Sequence, residues 1–396
     1  MSALDGIRVL DLGTFIAGPY CATVLGEFGA EVIKVEPPGA GDSLRRLGTN
    51  TECGDSLLWL TESRNKKCIT LNLQEERGRQ LLRQLAAKCD VIVENFRPGT
   101  LEKWGLGYEE LKAINPRAVL VRISAYGQDG PLRTQPGFAR IAHAFSGLAY
   151  LSGEPGRLPV VPGSTSLADY MSGMYGAIGA LVALRARDTT GEGQCVDLAL
   201  YESVFRVLDE IVPAFQQHGY VRERMGADAV NVCPHSHYQT ADAKWIAIAC
   251  SNDEMFRRLT EAMEQPELAS AARFGQKDLR LAARGEVNGI VSDWVSSLDH
   301  QEVLARCAKF GAPASLVYSI ADIFEDPQYR ARGNIRMEDS RIGKLAVAAV
   351  VPRLSATPGE IRWLGDGLGA QNEEIFQGLL GLGVDEVRTL REQGVV

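Results

Sequence analysis

The sequence lacks the motifs that mark several common enzyme classes. It contains no GxxxxGK[ST] phosphate loop, no GxGxxG turn, no GxSxG elbow and no CxxC pair. These absences argue against P-loop hydrolases, Rossmann dinucleotide enzymes, α/β-hydrolases, and thioredoxin-like or zinc-ribbon proteins. The eight cysteines lie at least 15 residues apart, and we expect them to be reduced. His235 and His237 have no third ligand in a metal-binding pattern, so we expect no metal site.

Positive charge and long apolar runs are also scarce. There are 42 Lys and Arg against 50 Asp and Glu, a formal net charge of −8, which argues against a nucleic-acid binder because such proteins usually present a basic face. The longest apolar helical stretch, 170–184, is shorter than the ~20 residues that span a bilayer. The N-terminus has an acid where a signal peptide is apolar. We therefore expect a cytoplasmic protein that does not interact with a membrane.

The first 125 residues alternate short apolar runs with amphipathic helical patterns. The runs predict strands, at 7–12, 31–35, 68–71, 90–94 and 118–124. This β-α-β rhythm indicates an α/β fold with a parallel sheet and right-handed crossovers. A segment rich in Gly, Arg, Asn and Pro at 219–234 reads as a linker, and the region after it reads as a smaller α+β domain.

One acidic residue, Asp169, stands where a Gly-Ser-Thr loop meets an apolar helix containing Gly173, Gly176 and Gly179. Aspartate is a favoured N-cap, so a capping role alone explains its position. A functional interpretation is also open. The helix dipole would keep the Asp169 carboxylate ionised and aim it at a bound acyl group, while the glycine face permits close approach of a ligand or another backbone.

The chain resembles class III CoA-transferases, the CaiB/BaiF family that includes formyl-CoA and carnitine CoA-transferases. The resemblance covers essentially the whole sequence and rests on an ordered set of motifs: LDGIRVLDL at 4–12, AGP at 17–19, LGEFGAEVIKVE at 25–36, GAGD at 39–42, NKK at 65–67, DVIVENFRPG at 90–99, GLGY at 105–108, YGQDGP at 126–131 and GVV at 394–396. It implies a large Rossmann-like CoA-binding domain, residues 1–218 and 333–396, and a small domain at 235–332. It also implies an interlocked, chain-link homodimer.

The resemblance further implies a mechanism in which Asp169 is the nucleophile. Its carboxylate attacks an acyl-CoA, and a mixed anhydride and an aspartyl-CoA thioester follow. Coenzyme A enters and leaves as a substrate, so no permanently bound cofactor is expected. The whole motif set is closest to the branch that moves CoA from succinyl-CoA to dicarboxylates such as glutarate, malate or itaconate. The sulfinate analogue 3-sulfinopropionate is another acceptor of that shape.

Other site residues follow from the same resemblance. The positions that match the family's CoA-binding pattern are Phe15, Ile16, Leu71, Asn95, Phe96 and Lys103. Lys103 replaces an arginine of the family, and Pro37 and Gln74 replace an arginine and a lysine, so some phosphate and adenine contacts must differ. For the second carboxylate of a dicarboxylate, Arg46 and Arg140 are candidates. A surface salt bridge is the alternative role for each.

Two other functions remain open at this point. A sister branch contains α-methylacyl-CoA racemases, which carry a base histidine in a Gly-His-Asp motif. The matching position here is Phe138, which argues against proton abstraction at Cα because the base is missing. The second alternative is a CoA-binding subunit without catalytic activity of its own.

Overall fold

The computed structural model of the protein describes residues 2–396. Its strands, in chain order, are β1 Arg8–Asp11, β2 Glu31–Glu36, β3 Lys66–Thr70, β4 Val91–Glu94, β5 Val119–Ser124, β6 Cys195–Ala199, β7 His235–Gln239, β8 Trp245–Ala249, β9 Ala314–Leu316, β10 Ile335–Ser340 and β11 Gly343–Ala348. Its α-helices are α1 Ala17–Glu27, α2 Leu57–Glu62, α3 Glu76–Ala86, α4 Thr100–Lys103, α5 Tyr108–Ile114, α6 Ala139–Phe145, α7 Leu148–Leu151, α8 Leu167–Thr190, α9 Leu200–Phe205, α10 Ile211–His218, α11 Asp253–Ala262, α12 Lys277–Ala282, α13 Arg284–Ser296, α14 His300–Phe310, α15 Ile320–Glu325, α16 Pro327–Ala331 and α17 Val384–Glu392.

The chain divides into two compact units. The first comprises the chain up to Leu148 together with Val161–Glu210 and Ala331–Val396, and the second comprises Ala149–Val160 and Ile211–Arg330. The C-terminal tail thus lies with the N-terminal part. The segment Ala149–Val160 and helix α10 therefore belong to the second unit. The sequence predicts instead that both belong to a large domain whose first part runs unbroken from residue 1 to 218.

Among the described residues, six parallel strands form the sheet of the first unit, in the order β3-β2-β1-β4-β5-β6. This is the order of Rossmann-type doubly wound folds. Neighbouring residues of one strand enter different cores: Val9 of β1 packs on one face and Leu10 on the other, and both are fully buried. A parallel sheet covered on both faces explains why the strands read as continuous apolar runs.

Helix α8 is longer than its apolar pattern predicts, with 24 residues rather than the 15 of the apolar stretch. By length and composition alone it is a candidate membrane span, and 44% of its most apolar window is buried inside the first unit. It packs against α1, β5 and β6. A Cβ at Gly173 would lie 2.9 Å from the carbonyl oxygen of Ala17. The glycine face therefore serves close helix–helix approach rather than ligand approach.

The second unit is an α+β body. Its strands β7, β8 and β9 form an antiparallel sheet among the described residues, with β8 in the middle. Helices α11, α13 and α14 supply the other half of its core, which contains Phe256, Val291 and Val303. This agrees with the α+β character predicted for that region.

A network of buried charged side chains lies at strands β1, β2 and β3 of the first unit's sheet. Lys34 Nζ is 2.8 Å from Asp42 Oδ2 and also donates to the carbonyl oxygen of Gly13. Lys66 Nζ is 2.9 Å from Asp11 Oδ2 and 2.6 Å from the Pro19 carbonyl oxygen. These charged side chains are at most 1% exposed. Lys34 thus joins a carboxylate to the backbone of the turn after β1, and Lys66 joins one to the first turn of α1.

The opposite charges of this network favour each other's ionised forms and so offset the energetic cost of burying them. Burial opposes the charged form of Lys34, but the carboxylates of Asp11 and Asp42 outweigh it and raise the lysine's pKa. Burial likewise favours neutral Asp42, yet the Lys34 ammonium and backbone N–H donors hold the pKa of this carboxyl below its usual range. Lys34 and Asp42 are therefore both charged at neutral pH, and removing one partner leaves an uncompensated buried charge.

We predict that Lys34→Met lowers the free energy of unfolding by about 3–5 kcal/mol, the usual cost of breaking a buried ion pair. Urea denaturation followed by circular dichroism measures this. The control is Lys112→Met, because Lys112 pairs with Glu192 at 3.7 Å on the surface and should change stability by less than about 1 kcal/mol. Equal stabilities of the two variants would contradict the role of the network.

Candidate active site

The sheet order reverses between β1 and β4, so the loops that follow these strands diverge and leave a crevice at their carboxyl ends. Ligands of doubly wound folds bind at this position. A cavity of about 270 Å³ lies there, and Thr14 and Phe15 after β1, Asn95 and Phe96 after β4, and Asp169 of α8 line it.

The turn after β1 is held by side chains of other elements. Thr14 N–H donates to Asn95 Oδ1 at 2.7 Å, and Asn95 Nδ2 donates back to the Thr14 carbonyl oxygen at 2.8 Å. Phe15 N–H donates to Asp42 Oδ1 at 3.0 Å. Phe15 has φ 59°, a left-handed conformation that is costly for a residue with a side chain and persists only where the surroundings impose it. These bonds supply that constraint and place the Phe15 ring in the cavity wall.

Asp169 occupies the third helical position of α8, after Ser166 and two further residues. Its side chain is half-buried, and burial raises the pKa of Asp169 to about 6. The sequence predicts that the helix N-terminus keeps this carboxylate ionised. Desolvation acts in the opposite direction, because the surrounding side chains remove water from the carboxylate. Asp169 is therefore a stronger base than a solvated aspartate, yet it is mostly ionised at neutral pH.

A second cavity, of about 290 Å³, meets the first at Asp169. The two share Phe15, Ile16, Phe138 and Asp169. The walls of the second cavity add Arg140 and His143 of α6 and the hydroxyl-bearing residues Ser164, Thr165 and Ser166. Asp169 thus stands in the wall common to two cavities, each of which is also lined by one arginine, Arg97 in the first and Arg140 in the second.

His143 is a site residue that the sequence reasoning missed. It is 1% exposed, and its Nε2 accepts the N–H of Ala168, the residue before Asp169, at 3.0 Å. A signal was available, since His143 lies three residues after Arg140 and therefore on the same face of α6. Its contact with Ala168 spans 25 residues, however, and no local pattern indicates it.

The structure brings together most, but not all, of the predicted site residues. Phe15, Ile16, Asn95 and Phe96 line the first cavity with Asp169, and Arg140 lines the second.

The remaining three predicted residues line neither cavity. Leu71 is buried in the core beside the sheet. Lys103 is exposed at the end of α4, and exposed Arg46 donates to the Ala40 carbonyl oxygen at 2.5 Å. Their assignment to CoA or substrate stays a prediction.

Metal-binding geometry is not found in the described part of the chain. Within residues 2–396 no three His, Cys, Asp or Glu side chains come together in a way that would hold a metal ion. The ionisable side chains that line the two cavities are the Asp169 carboxylate, the guanidinium groups of Arg97 and Arg140, and the His143 imidazole.

Comparison with known proteins identifies the family. The model of CoA-transferase family III matches residues 4–372. The chain is 54% identical to the beta subunit of succinyl-CoA–L-malate CoA-transferase of Chloroflexus aurantiacus, covering 99% of this chain and 98% of that protein. It is 42% identical to succinyl-CoA–D-citramalate CoA-transferase of the same organism, covering 99% and 98%.

A solved structure agrees with these sequence matches. A CaiB/BaiF family protein from Brucella suis superposes with a TM-score of 0.84 at 33% identity, covering 96% of this chain and 99% of that one. The chain therefore belongs to CoA-transferase family III, and it is a transferase enzyme.

Proposed function

We propose that the protein transfers CoA from succinyl-CoA to a dicarboxylate acceptor and that Asp169 is the nucleophile. The observation that carries this proposal is the position of the Asp169 carboxylate, half-buried in the wall common to two cavities. The first cavity, lined by Arg97 and several apolar side chains, suits the thioester arm of CoA, and the second has Arg140 for a second carboxylate. The relatives named for succinyl-CoA with L-malate, D-citramalate or glutarate support the same donor and class of acceptor.

The reaction proceeds through the enzyme's own carboxylate. Asp169 attacks the thioester carbonyl of succinyl-CoA, the C–S bond breaks, and CoA thiolate leaves a succinyl–aspartyl anhydride. The thiolate then attacks the aspartyl carbonyl, which releases succinate and forms an aspartyl-CoA thioester. The acceptor carboxylate attacks this thioester, the C–S bond breaks, and CoA thiolate leaves a second anhydride between the acceptor and Asp169. Thiolate attack on the acceptor's carbonyl completes its CoA ester and regenerates Asp169.

Desolvation favours this chemistry in two ways. A carboxylate whose pKa is raised to about 6 is a better nucleophile than a solvated one, because nucleophilicity rises with basicity. Removing water also protects the anhydride and thioester intermediates from hydrolysis. The fraction of ionised Asp169 falls tenfold for each pH unit well below 6, so transfer requires near-neutral or higher pH.

The first prediction concerns the covalent intermediates. During turnover with succinyl-CoA, hydroxylamine should convert the Asp169 side chain to a hydroxamate, which peptide mass spectrometry detects. Asp169→Asn should lower the transfer rate at least about a thousandfold, because it removes the nucleophile. The matched control is Asp188→Asn, since Asp188 is exposed on the same helix and should leave the rate unchanged.

The acceptor is identified in the same assay from the masses of new CoA esters. The panel contains L-malate, glutarate, itaconate and 3-sulfinopropionate, with a short monocarboxylate as the comparison. Full transfer by Asp169→Asn would overturn the proposed nucleophile. If deuterium from the solvent entered Cα of a branched acyl-CoA in the absence of an acceptor, the racemase alternative would be supported. That result would require a base other than residue 138, because Phe138 replaces the base histidine of the racemases.

The second prediction concerns Arg140, which we propose binds the distal carboxylate of the dicarboxylate. Arg140→Met should raise the KM for a dicarboxylate acceptor about 10- to 100-fold, the value of one charge-assisted hydrogen bond. The KM for a monocarboxylate should not change. Arg46→Met is the control, because Arg46 lines neither cavity. The reverse pattern, with Arg46→Met raising the KM and Arg140→Met leaving it unchanged, would refute the assignment.

The third prediction concerns assembly as a homodimer. Met174, Ile178, Leu181 and Val182 follow helical spacing on α8 and form an exposed apolar face, with Ile178 54% and Val182 63% exposed. Opposite this face α8 is buried within the first unit. A helix that is apolar on both sides needs a second partner, and we propose a second copy of the chain.

Light scattering of the chain expressed alone should give twice 43.0 kDa, and Ile178→Asp with Val182→Asp should reduce this mass. Two relatives are named as alpha and beta subunits of one enzyme. A wild-type chain that is monomeric alone and associates only with a homologous second chain would therefore contradict the homodimer.

A further inference from the structure

His143 connects the acceptor-side cavity to the helix that carries Asp169. The first turn of any helix has N–H groups without partners inside the helix. In α8 the N-cap residue, Ser166, makes no side-chain capping bond within the described residues. A residue of another helix supplies the cap instead: Nε2 of His143 in α6 accepts the Ala168 N–H at 3.0 Å. His143 thus caps α8 one residue before the proposed nucleophile.

This bond requires one chemical state of the ring. A nitrogen that accepts a hydrogen bond carries no proton, so His143 is the neutral tautomer with its hydrogen on Nδ1. Burial, together with the positive charge of Arg140, lowers the pKa of His143 and keeps the ring neutral. A protonated ring would lose its acceptor and place a positive charge beside the helix N-terminus, whose dipole is also positive.

The surroundings leave His143 little freedom to move. Its side chain is 1% exposed, and Nδ1 has no hydrogen-bond partner among the described residues. The Ala168 N–H is thus the one polar contact that orients the ring. Next to it, Asp169 N–H already donates to the Ser166 carbonyl oxygen at 2.9 Å. The Ala168 and Asp169 amides are therefore occupied in holding the first turn of α8 rather than in binding a ligand.

We infer that His143 is a positioning residue for CoA transfer: its neutral imidazole fixes the first turn of α8 and thereby the location of the Asp169 carboxylate between the two cavities. The inference rests on the proposed nucleophilic role of Asp169. A shift of the nucleophile by about 1 Å costs about 100-fold in rate. Loss of the cap should therefore appear in kcat, whereas binding of succinyl-CoA and acceptor, which involves other residues of the walls, should change little.

The test compares two substitutions of the histidine. His143→Leu keeps the bulk but removes the acceptor, and we expect kcat to fall about 100-fold with KM values within about threefold. His143→Gln restores a neutral acceptor oxygen, and we expect kcat within tenfold of the wild type. The control is Asn252→Ala, because Asn252 Oδ1 accepts Met255 N–H at 2.9 Å as the N-cap of α11 in the second unit. It should weaken a helix cap while leaving kcat unchanged.

Several outcomes would overturn the inference. Wild-type kcat in His143→Leu would do so, and so would a 100-fold loss in His143→Gln with unchanged thermal stability. Should His143→Leu not fold, His143→Gln decides alone by the same criterion. Asp169→Asn, measured in parallel, separates the two proposals. An inactive Asp169→Asn beside a fully active His143→Leu rejects only the positioning role, whereas an active Asp169→Asn rejects the nucleophile on which that role rests.

Discussion

Two buried ammonium groups, those of Lys34 and Lys66, are the constraint on which the site depends. Lys34 joins Asp42 to a carbonyl oxygen of the turn after β1, and Lys66 joins Asp11 to a carbonyl oxygen in the first turn of α1. Asp42, paired with Lys34, also accepts the N–H of Phe15, which holds that residue in its left-handed conformation. The charged network thus shapes the wall of the first cavity. Its cost in desolvation is offset because each charge has an opposite charge or a backbone dipole within hydrogen-bond distance.

The wall of the first cavity that contains Asp169 has a different electrostatic environment. Asp169 has no strong opposing cation, and burial alone raises its pKa. The first unit therefore combines a fully compensated set of charges beneath the turn with a single uncompensated carboxylate at the junction of two cavities. The first set gives rigidity, and the second gives a basic nucleophile in a place poor in water. This contrast is typical of catalytic carboxylates, whose environments differ from those of structural ones.

The sequence allowed much of the frame to be predicted. The predicted strands at 31–35 and 90–94 match β2 and β4 to within one residue, because buried parallel strands are continuous apolar runs. Family membership followed from the ordered motifs, which also marked Asn95 and Phe96 beside the cavity. Helix α8 extends past the apolar stretch at 170–184 at both ends. His143 was missed, because it reaches Ala168, beside Asp169, only through the packing of α6 against α8.

The sequence by itself determined the alternation of strands and helices, the family, and the residue types available for chemistry, since these depend on local periodicity and on motif order. Only the tertiary structure decided what those residues do together. It directed the glycine face of α8 against α1, placed Leu71 in the core, and brought Arg140 into the lining of a cavity that Asp169 shares. It also determined that the pKa of Asp169 rises, because desolvation depends on every atom packed around a carboxylate, and no local pattern in the chain specifies those neighbours.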